Sequence, residues 1–170
     1  MQENRKPTTG PLQGIRILDL SRLLPGPLGA MMMADMGAEV IKIEAPKFKD
    51  YARDFPPFIN KESASYLAFN RSKRSLALDY KTEEGKAVFW ELVKTADIVI
   101  EQFRPGVMDK MGLGYEAAKA VNPKIIYVSI TGYGQTGPYR DKAGHDLNYI
   151  SYAGVLGITG KRDQSPVIPG

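Results

Sequence analysis

The chain contains one histidine, His145, and an aspartate follows it directly at position 146. Both lie in residues 132–154, whose first thirteen residues hold four glycines and one proline. An imidazole titrates near neutral pH, so His145 is the side chain best suited to remove a proton from a substrate. A histidine beside an aspartate is also common in ordinary surface loops. The sequence leaves both interpretations open at this position.

Two other groups of residues have side chains that suit an anionic ligand. Gln102, Phe103 and Arg104 follow an apolar strand candidate and precede Pro105, a residue that favours the first turn of a helix. Ligands of parallel α/β sheets bind beyond the carboxyl ends of strands, so this is a candidate binding edge. Residues 70–74 form a compact basic cluster that could hold phosphates or could be a solvated turn.

The elements that must position these groups follow a strand–helix–strand order. Residues 14–20 and 38–44 are short and apolar, which predicts strands, and residues 28–36 between them predict a buried helix. Such a unit implies a parallel sheet with a right-handed crossover. The turn at residues 21–27 lacks the three spaced glycines of a dinucleotide fingerprint, which argues against a nicotinamide cofactor.

The same alternation continues through the rest of the chain and predicts an α/β fold. Residues 45–68 contain three prolines and are predicted to be irregular. Thr82 is a good N-cap, and the helix after it should run to about residue 95. Its predicted buried residues are Val88, Phe89, Leu92 and Val93. Further predictions are strands at 75–80, 97–101 and 124–130, and helices at 115–121 and from 145 or 146 to about 156.

The composition limits the function classes. The 170 residues are 43% hydrophobic and 25% charged, they include no cysteine, and the net charge is +4. Thiolate and multi-histidine metal sites are therefore excluded within the chain, and we expect no metal. The mild positive charge suits an anionic ligand as well as nucleic acid. With no apolar run of membrane-spanning length and a polar start, a cytoplasmic protein without membrane or nucleic-acid partners is expected.

Five segments, in order, resemble the family III CoA-transferases, the CaiB–BaiF group. The resemblance extends from Pro11 to Gly170, and the segment GHDLNY at 144–149 is most similar to the α-methylacyl-CoA racemase branch. The matching segments are GIRILDLSRLLPGP at 14–27, DMGAEVIKIE at 35–44, NRSKRS at 70–75, FRPGVM at 103–108 and ITGYGQTGP at 130–138.

The resemblance implies a Rossmann-like parallel sheet flanked by helices, a smaller second domain, and homodimers whose two chains interlock. Residues 1–10 are then a flexible leader, and residues 11–170 are the N-terminal part of the large domain. By the same resemblance the catalytic aspartate lies just beyond Gly170, and the small domain and the returning C-terminal segment are absent.

The resemblance also implies that coenzyme A, as an acyl-CoA, is the substrate, with a carboxylic acid acceptor in a transferase. A racemase would use His145 as a base instead, and a non-catalytic CoA-binding fragment is the third alternative. The phosphate contacts expected from the basic residues are Arg71, Lys73, Arg74 and Arg104. The residues that the family pattern places along CoA are Leu78, Asp79, Tyr80, Lys81, Gln102, Phe103, Lys110, Gly144, His145, Asp146, Leu147, Asn148 and Tyr149.

Overall fold

The computed structural model of the protein describes residues 9–168, and the chain divides into two compact units after Ile130. Most of the predicted leader, residues 1–8, lies outside the described residues, as do residues 169–170. The strands are β1 (Arg16–Asp19), β2 (Glu39–Glu44), β3 (Phe58–Ile59), β4 (Glu62–Ser63), β5 (Arg74–Ala77), β6 (Ile98–Glu101) and β7 (Ile126–Ser129). The helices are α1 (Pro25–Asp35), α2 (Ala64–Asn70), α3 (Glu83–Val93), α4 (Val107–Lys110), α5 (Tyr115–Val121) and α6 (Asp146–Tyr152).

The first unit is built on a five-stranded parallel sheet with the strand order β5-β2-β1-β6-β7. Strand β1 is central, and its Ile17 pairs with Val40 of β2 on one side and with Ile98 of β6 on the other. The predicted α/β class is thus confirmed. The chain leaves β1 toward β2 and later returns to place β6 on the opposite side, so the order reverses between β1 and β6.

Burial on both faces explains why the central strands are almost wholly apolar. Helix α1 covers one face, where Ala30 packs with Ile17 and Val40. Phe89 and Val93 of α3 pack on the other face, and all of these side chains are essentially buried. Parallel sheets need this double cover, because their strands carry apolar side chains on both sides.

Helix α1 begins three residues earlier than the predicted start at residue 28. Pro25 occupies the first turn, where its missing N–H costs no hydrogen bond, and its fixed φ suits a helix. The proline that marked a turn in the sequence is therefore the first residue of the helix. Helix α5 has the bounds that the sequence predicted.

The segment 45–68, predicted to be irregular, contains three ordered elements. A single 3-10 turn at Tyr51–Asp54 precedes the β3–β4 hairpin and the start of α2. Ser63 caps α2, since its side chain accepts a hydrogen bond from the Tyr66 N–H at 3.3 Å. The prediction was wrong because the elements are too short to show a hydrophobic period.

Helix α3 confirms its predicted cap and corrects its predicted buried face. The Thr82 hydroxyl oxygen accepts a hydrogen bond from the Gly85 N–H at 3.0 Å. Phe89 and Val93 are fully buried, but Val88 is 45% exposed. Residues four apart share a helix face, whereas neighbouring residues are separated by about 100°. Val88 therefore points away from the side that Phe89 and Val93 bury.

A polar cluster fixes the segment that follows β2. The Glu44 carboxylate accepts hydrogen bonds from the Asp50 N–H at 2.9 Å, from Arg53 at 2.6 Å and from the Tyr66 hydroxyl at 2.9 Å. The Arg53 guanidinium also lies 3.8 Å from the Tyr66 ring centroid. Burial acts to raise the pKa of Glu44, but these hydrogen bonds outweigh it and lower the pKa to about 2.

The second unit consists of a glycine-rich loop, helix α6 and a 3-10 turn at Val155–Ile158. Helix α6 begins at Asp146, as predicted, but ends at Tyr152, before the predicted end near residue 156. Ala153 and Gly154 separate the helix from the 3-10 turn, and Gly154 has a φ of 79°. Within residues 9–168, no helix is long and apolar enough to cross a membrane.

Two valines of α3 offer a matched test of this packing. Val93→Ala should lower the free energy of unfolding by about 1–3 kcal/mol, because Val93 is fully buried. Val88→Ala makes the same chemical change on the exposed side and should alter it by less than about 0.5 kcal/mol. Urea denaturation followed by circular dichroism measures both values. Equal losses from the two variants would contradict the assigned face.

The Glu44 cluster predicts a defined acid sensitivity. Because the folded-state pKa of Glu44 is about 2 and its ordinary value is 4.5, the carboxylate contributes stability above pH 4.5 that is lost as the pH falls toward 2. Arg53→Met should raise this pKa and lower stability near neutral pH. The difference from the parent should shrink through that acid range. NMR titration of Glu44 and denaturation at several pH values measure this, and an unchanged pKa would contradict it.

Candidate functional site

The reversal of strand order places the ends of β1 and β6 side by side. Leu20, just after β1, donates its N–H to the Ile100 carbonyl oxygen at 2.8 Å, which holds the two strand ends together. Residues 21–24 and 102–106 leave this edge in the two loops that lead to α1 and α4. Open α/β sheets bind ligands at such a reversal, so this edge is the candidate site of the first unit.

Two aromatic residues that were predicted from the family pattern meet at this edge. Tyr80, which follows β5, and Phe103, which follows β6, have ring centroids 6.2 Å apart in an edge-to-face arrangement. The Phe103 N–H donates to the Glu101 carboxylate at 2.7 Å, which orients the start of the loop. Burial raises the pKa of this nearly buried Glu101. The fold thus brings together side chains that are 23 residues apart in the chain.

The side chain of Gln102 points into a close contact with the start of α1. Its Oε1 is buried and has no hydrogen-bond partner among residues 9–168. A Cβ added at Gly26 would come within 2.9 Å of this oxygen and would collide with the Ser21 side chain. Glycine is therefore required at position 26, and an unpartnered acceptor lies at the strand reversal.

The other predicted residues after β5 surround Tyr80. Leu78 is half-buried, and its N–H donates to the Glu44 carbonyl oxygen at 2.9 Å. The Asp79 carboxylate accepts the Lys81 N–H at 3.2 Å. Lys81 is exposed, with its Nζ 4.1 Å from the Phe48 ring centroid. This short loop therefore presents an exposed cation that lies over an aromatic ring.

Two of the predicted cations lie around α4. Arg104 is exposed in the loop after β6, and its carbonyl oxygen accepts the Val107 N–H at 3.0 Å. Lys110 is exposed at the last residue of α4. Both side chains remain available to an anion from solvent.

The structure separates the three basic residues of the 70–74 cluster into two kinds. Arg71 and Arg74 are exposed and pair with Asp35 at 2.6 Å and with Glu39 at 2.8 Å. The Lys73 side chain is only 1% exposed. Its Nζ donates to an Asp19 carboxylate oxygen, the Pro27 carbonyl oxygen and the Asn70 amide oxygen, at 2.8, 2.8 and 3.0 Å.

Because an ammonium group has three donors, Lys73 has none left for an outside phosphate in this conformation. Burial lowers the pKa of Lys73, and the neighbouring Asp19 carboxylate opposes that effect. The cluster is therefore neither a uniform phosphate site nor a uniform solvated turn. Two of its cations face solvent, and the third belongs to the interior.

A second buried lysine and its partner were not predicted from the sequence. Lys42 lies in the middle of β2 with a 1% exposed side chain, and its Nζ donates to the fully buried Asp50 carboxylate at 3.2 Å. A signal was present, since a lysine inside the apolar run of a doubly covered strand has to be paired. Its partner lay in the segment that was predicted to be irregular.

A shallow groove of about 140 Å³ lies at the ends of β2 and β5. Lys49 and Arg53 provide its cationic side chains, and Arg53 is already engaged by Glu44. The remaining lining residues are small or acidic: Glu44, Ala45, Pro46, Ser75 and Ala77.

In the second unit, the predicted segment 144–149 forms the start of α6. His145 is exposed at the N-cap, and its backbone N–H donates to the Asn148 amide oxygen at 2.9 Å. Asp146 and Leu147 are exposed in the first turn. The imidazole is accordingly open to solvent within this unit.

Tyrosines surround the rest of that segment. Tyr149 donates its hydroxyl to the Gly144 carbonyl oxygen at 2.5 Å, and its ring lies 5.2 Å from the ring of Tyr133. Tyr139 and Tyr152 complete the cluster, each within 6 Å of Tyr133. The glycine-rich loop at residues 131–145 is thus ordered by aromatic contacts, which were not predicted from the sequence.

Solved structures with the same fold carry related sequences. A CAIB/BAIF family protein from Brucella suis superposes with a TM-score of 0.89 at 42% identity, covering 95% of this chain and 44% of that chain. A hypothetical protein from Mycobacterium tuberculosis gives a TM-score of 0.83 at 39% identity, with 96% and 46% coverage.

Curated relatives show the same pattern in sequence. The succinate–glutarate CoA-transferase of Agrobacterium fabrum is 49% identical over 98% of this chain and 43% of its own length. The human succinyl-CoA:glutarate CoA-transferase is 46% identical over 94% of this chain and 37% of its own length. The chain thus spans about two fifths of these relatives. The model of CoA-transferase family III matches residues 12–170, and the chain therefore belongs to that family.

Proposed function

We propose that the chain forms the acyl-CoA-binding part of an enzyme that moves CoA between a thioester and a carboxylic acid. The observation that carries this proposal is the edge where β1 and β6 end. There, the half-buried Phe103 packs edge-to-face on the buried ring of Tyr80, and Gln102 has a buried acceptor oxygen without a partner among residues 9–168. Family membership supplies the reaction class.

The chemistry of CoA suits the side chains that surround this edge. CoA is long and polyanionic and carries an adenine ring, so it needs dispersed cations and flat apolar contacts. Arg71, Arg74, Arg104 and Lys110 are exposed cations of the first unit. We propose that these four, rather than the enclosed Lys73, are the candidates for phosphate contacts. The residues 144–149 remain proposed CoA contacts of the second unit.

We further propose that the exchanged acids are small dicarboxylates. The relatives from Agrobacterium fabrum, mouse and human, at 46–49% identity, are named for succinate or succinyl-CoA and glutarate. Others, at 38–40% identity, are named for oxalate and malate. Succinyl-CoA and glutarate are therefore the first pair to test.

The family resemblance assigns the covalent step to an aspartate beyond Gly170. In that scheme the aspartate carboxylate attacks the thioester carbonyl and expels the CoA thiolate, which leaves a mixed anhydride. The thiolate then attacks the aspartyl carbonyl of the anhydride, so that the donor acid is released and CoA is held as an aspartyl thioester. We propose that the whole enzyme works in this way. Residues 11–170 are proposed to be the N-terminal part of its large domain, in a cytoplasmic homodimer.

A racemase of 2-methylacyl-CoA esters remains the alternative activity. It depends on His145, which is exposed at the start of α6. The two activities differ in what they need. A racemase exchanges the α-proton of the thioester with solvent, whereas a transferase needs an acceptor acid.

The chain alone is expected to bind CoA weakly and to transfer none. Incubation with succinyl-CoA and glutarate in D₂O, followed by liquid chromatography and mass spectrometry, should yield neither glutaryl-CoA nor α-deuterated thioester. An NMR titration with CoA should still shift the Tyr80 and Phe103 signals. Formation of glutaryl-CoA would overturn the assignment of the nucleophile, α-deuteration would favour the racemase, and unshifted Tyr80 and Phe103 signals would contradict the CoA site.

The exposed cations of the basic cluster should contribute salt-sensitive affinity. The double variant Arg71→Ala/Arg74→Ala should weaken CoA binding at low salt by more than at high salt, because screening already weakens these contacts. A control, Lys94→Ala/Lys119→Ala, removes two exposed cations at the ends of α3 and α5 and should bind CoA like the parent. Calorimetry at two salt concentrations measures this. If the double variant binds CoA with the affinity of the parent at both salt concentrations, the basic cluster is only a solvated turn.

A further inference from the structure

Arg22 is an arginine without an acceptor at the strand reversal. It lies in the loop after β1, is half-buried, and has its guanidinium 5.5 Å from the Phe103 ring centroid. Among residues 9–168 it has no hydrogen-bond or ion-pair partner. Its five N–H donors are therefore open to water or to a ligand, beside the ring that the proposed CoA site uses.

The buried Lys42–Asp50 ion pair makes hydrogen bonds to the loop on both sides of Arg22. The Lys42 ammonium donates to the Ser21 carbonyl oxygen as well as to Asp50. The two Asp50 carboxylate oxygens lie 3.1 Å from the Leu23 backbone nitrogen. Leu23 has a φ of 63°, which is unfavourable for a leucine and persists only where the surroundings impose it.

A second buried ion pair, Lys73–Asp19, holds the same loop and lies beside the first, since Asp19 of β1 is the register partner of Lys42 in β2. The Asp19 carboxylate accepts hydrogen bonds from the Ser21 N–H, at 2.9 Å, and from the Ser21 hydroxyl. Lys73, its partner at 2.8 Å, also donates to the Pro27 carbonyl oxygen in the first turn of α1. The two pairs together hold both ends of residues 21–27.

The four buried charges that fix this loop carry a large desolvation penalty. Desolvation of buried ion pairs often cancels their attraction, so such pairs are weak evidence for added stability. Retained pairs are better explained where they select one geometry of a functional segment. Here the selected geometry places Arg22 against Phe103 and leaves the Gln102 oxygen beside Gly26.

We infer that Arg22 is an oxyanion-binding residue of the acyl-CoA site, and that the Lys42–Asp50 and Lys73–Asp19 pairs position it. This inference rests on the proposed function. The planar guanidinium suits a phosphate or a carboxylate, and the shared chemistry has two sources here: the phosphates of CoA and the carboxylate of the acid. Asp50 and Lys42 act through the loop and are positioning residues.

The first experiment compares Arg22→Met and Arg22→Lys with the parent in NMR titrations of the chain. The probes are CoA, 4′-phosphopantetheine and succinate. Arg22→Met should weaken the binding of at least one probe by about tenfold or more, since a hydrogen bond to a charged group is lost. Arg22→Lys should recover part of that loss. Lys94→Met removes an exposed cation at the end of α3 and should bind all probes like the parent.

The pattern of losses identifies the source of the oxyanion. Weaker CoA and phosphopantetheine binding indicates the phosphate of the pantetheine arm, and weaker CoA binding alone indicates the nucleotide phosphates. Weaker succinate binding alone indicates the acid. If CoA shifts the Tyr80 and Phe103 signals but Arg22→Met binds all three probes with the affinity of the parent, the inference is overturned and the proposed function stays intact. The absence of any CoA-induced shift would overturn both.

A double-mutant cycle tests the positioning role. Asp50→Asn keeps the side-chain shape but removes the charge that Lys42 pairs with. It should weaken the affected probe in the parent and change little in the Arg22→Met background, because the positioned group is already gone. If Asp50→Asn weakens binding equally in the parent and in Arg22→Met, Asp50 has a merely structural role and the positioning role is overturned. The Arg22→Met comparison decides the binding role by itself, even where Asp50→Asn fails to fold.

Discussion

Two lysine ammonium groups buried at one edge of a parallel sheet impose the main constraint on this structure. Lys42 and Lys73 have 1% exposed side chains, and each is paired with a carboxylate that is itself fully buried. Charges removed from water must be paired and hydrogen-bonded, or the folded state is lost. Both pairs also make hydrogen bonds to backbone groups of residues 21–27. The loop after β1 is therefore specified by electrostatics rather than by its own turn propensity.

This constraint couples the interior of the fold to its candidate binding edge. The strand order reverses between β1 and β6, so the two loops that leave those strands diverge to opposite faces of the sheet. The constrained loop presents Arg22 to Phe103, and Gly26 allows Gln102 to pack against the start of α1. Tyr80 then adds a second ring from the loop after β5. A rigid, mostly apolar scaffold thus supports a small set of polar groups, as ligand sites generally require.

The segment after β2 shows how local sequence can mislead. Its prolines and scattered charges predicted an irregular connection, yet it supplies Asp50 to the buried lysine and Arg53 to Glu44. The prediction that Val88 is buried was wrong for a related reason. Val88 and Phe89 are both apolar, and only the packing of α3 on the sheet decides which of the two side chains is buried. The central strands were predictable because their own apolar pattern specifies them.

By itself, the sequence determined the parallel α/β class, the Thr82 cap of α3 and the family of the chain. Apolar periodicity, capping chemistry and ordered motifs are local properties and can be read along the chain. The candidate edge was also predictable, because Gln102 and Phe103 follow a strand. Only the tertiary structure decided which cations face solvent and which are enclosed. Lys73 and its partner Asp19 are 54 residues apart, and nothing local to residues 70–74 distinguishes Lys73 from its exposed neighbours. Burial depends on what the rest of the chain packs around a side chain, so it is a property of the fold.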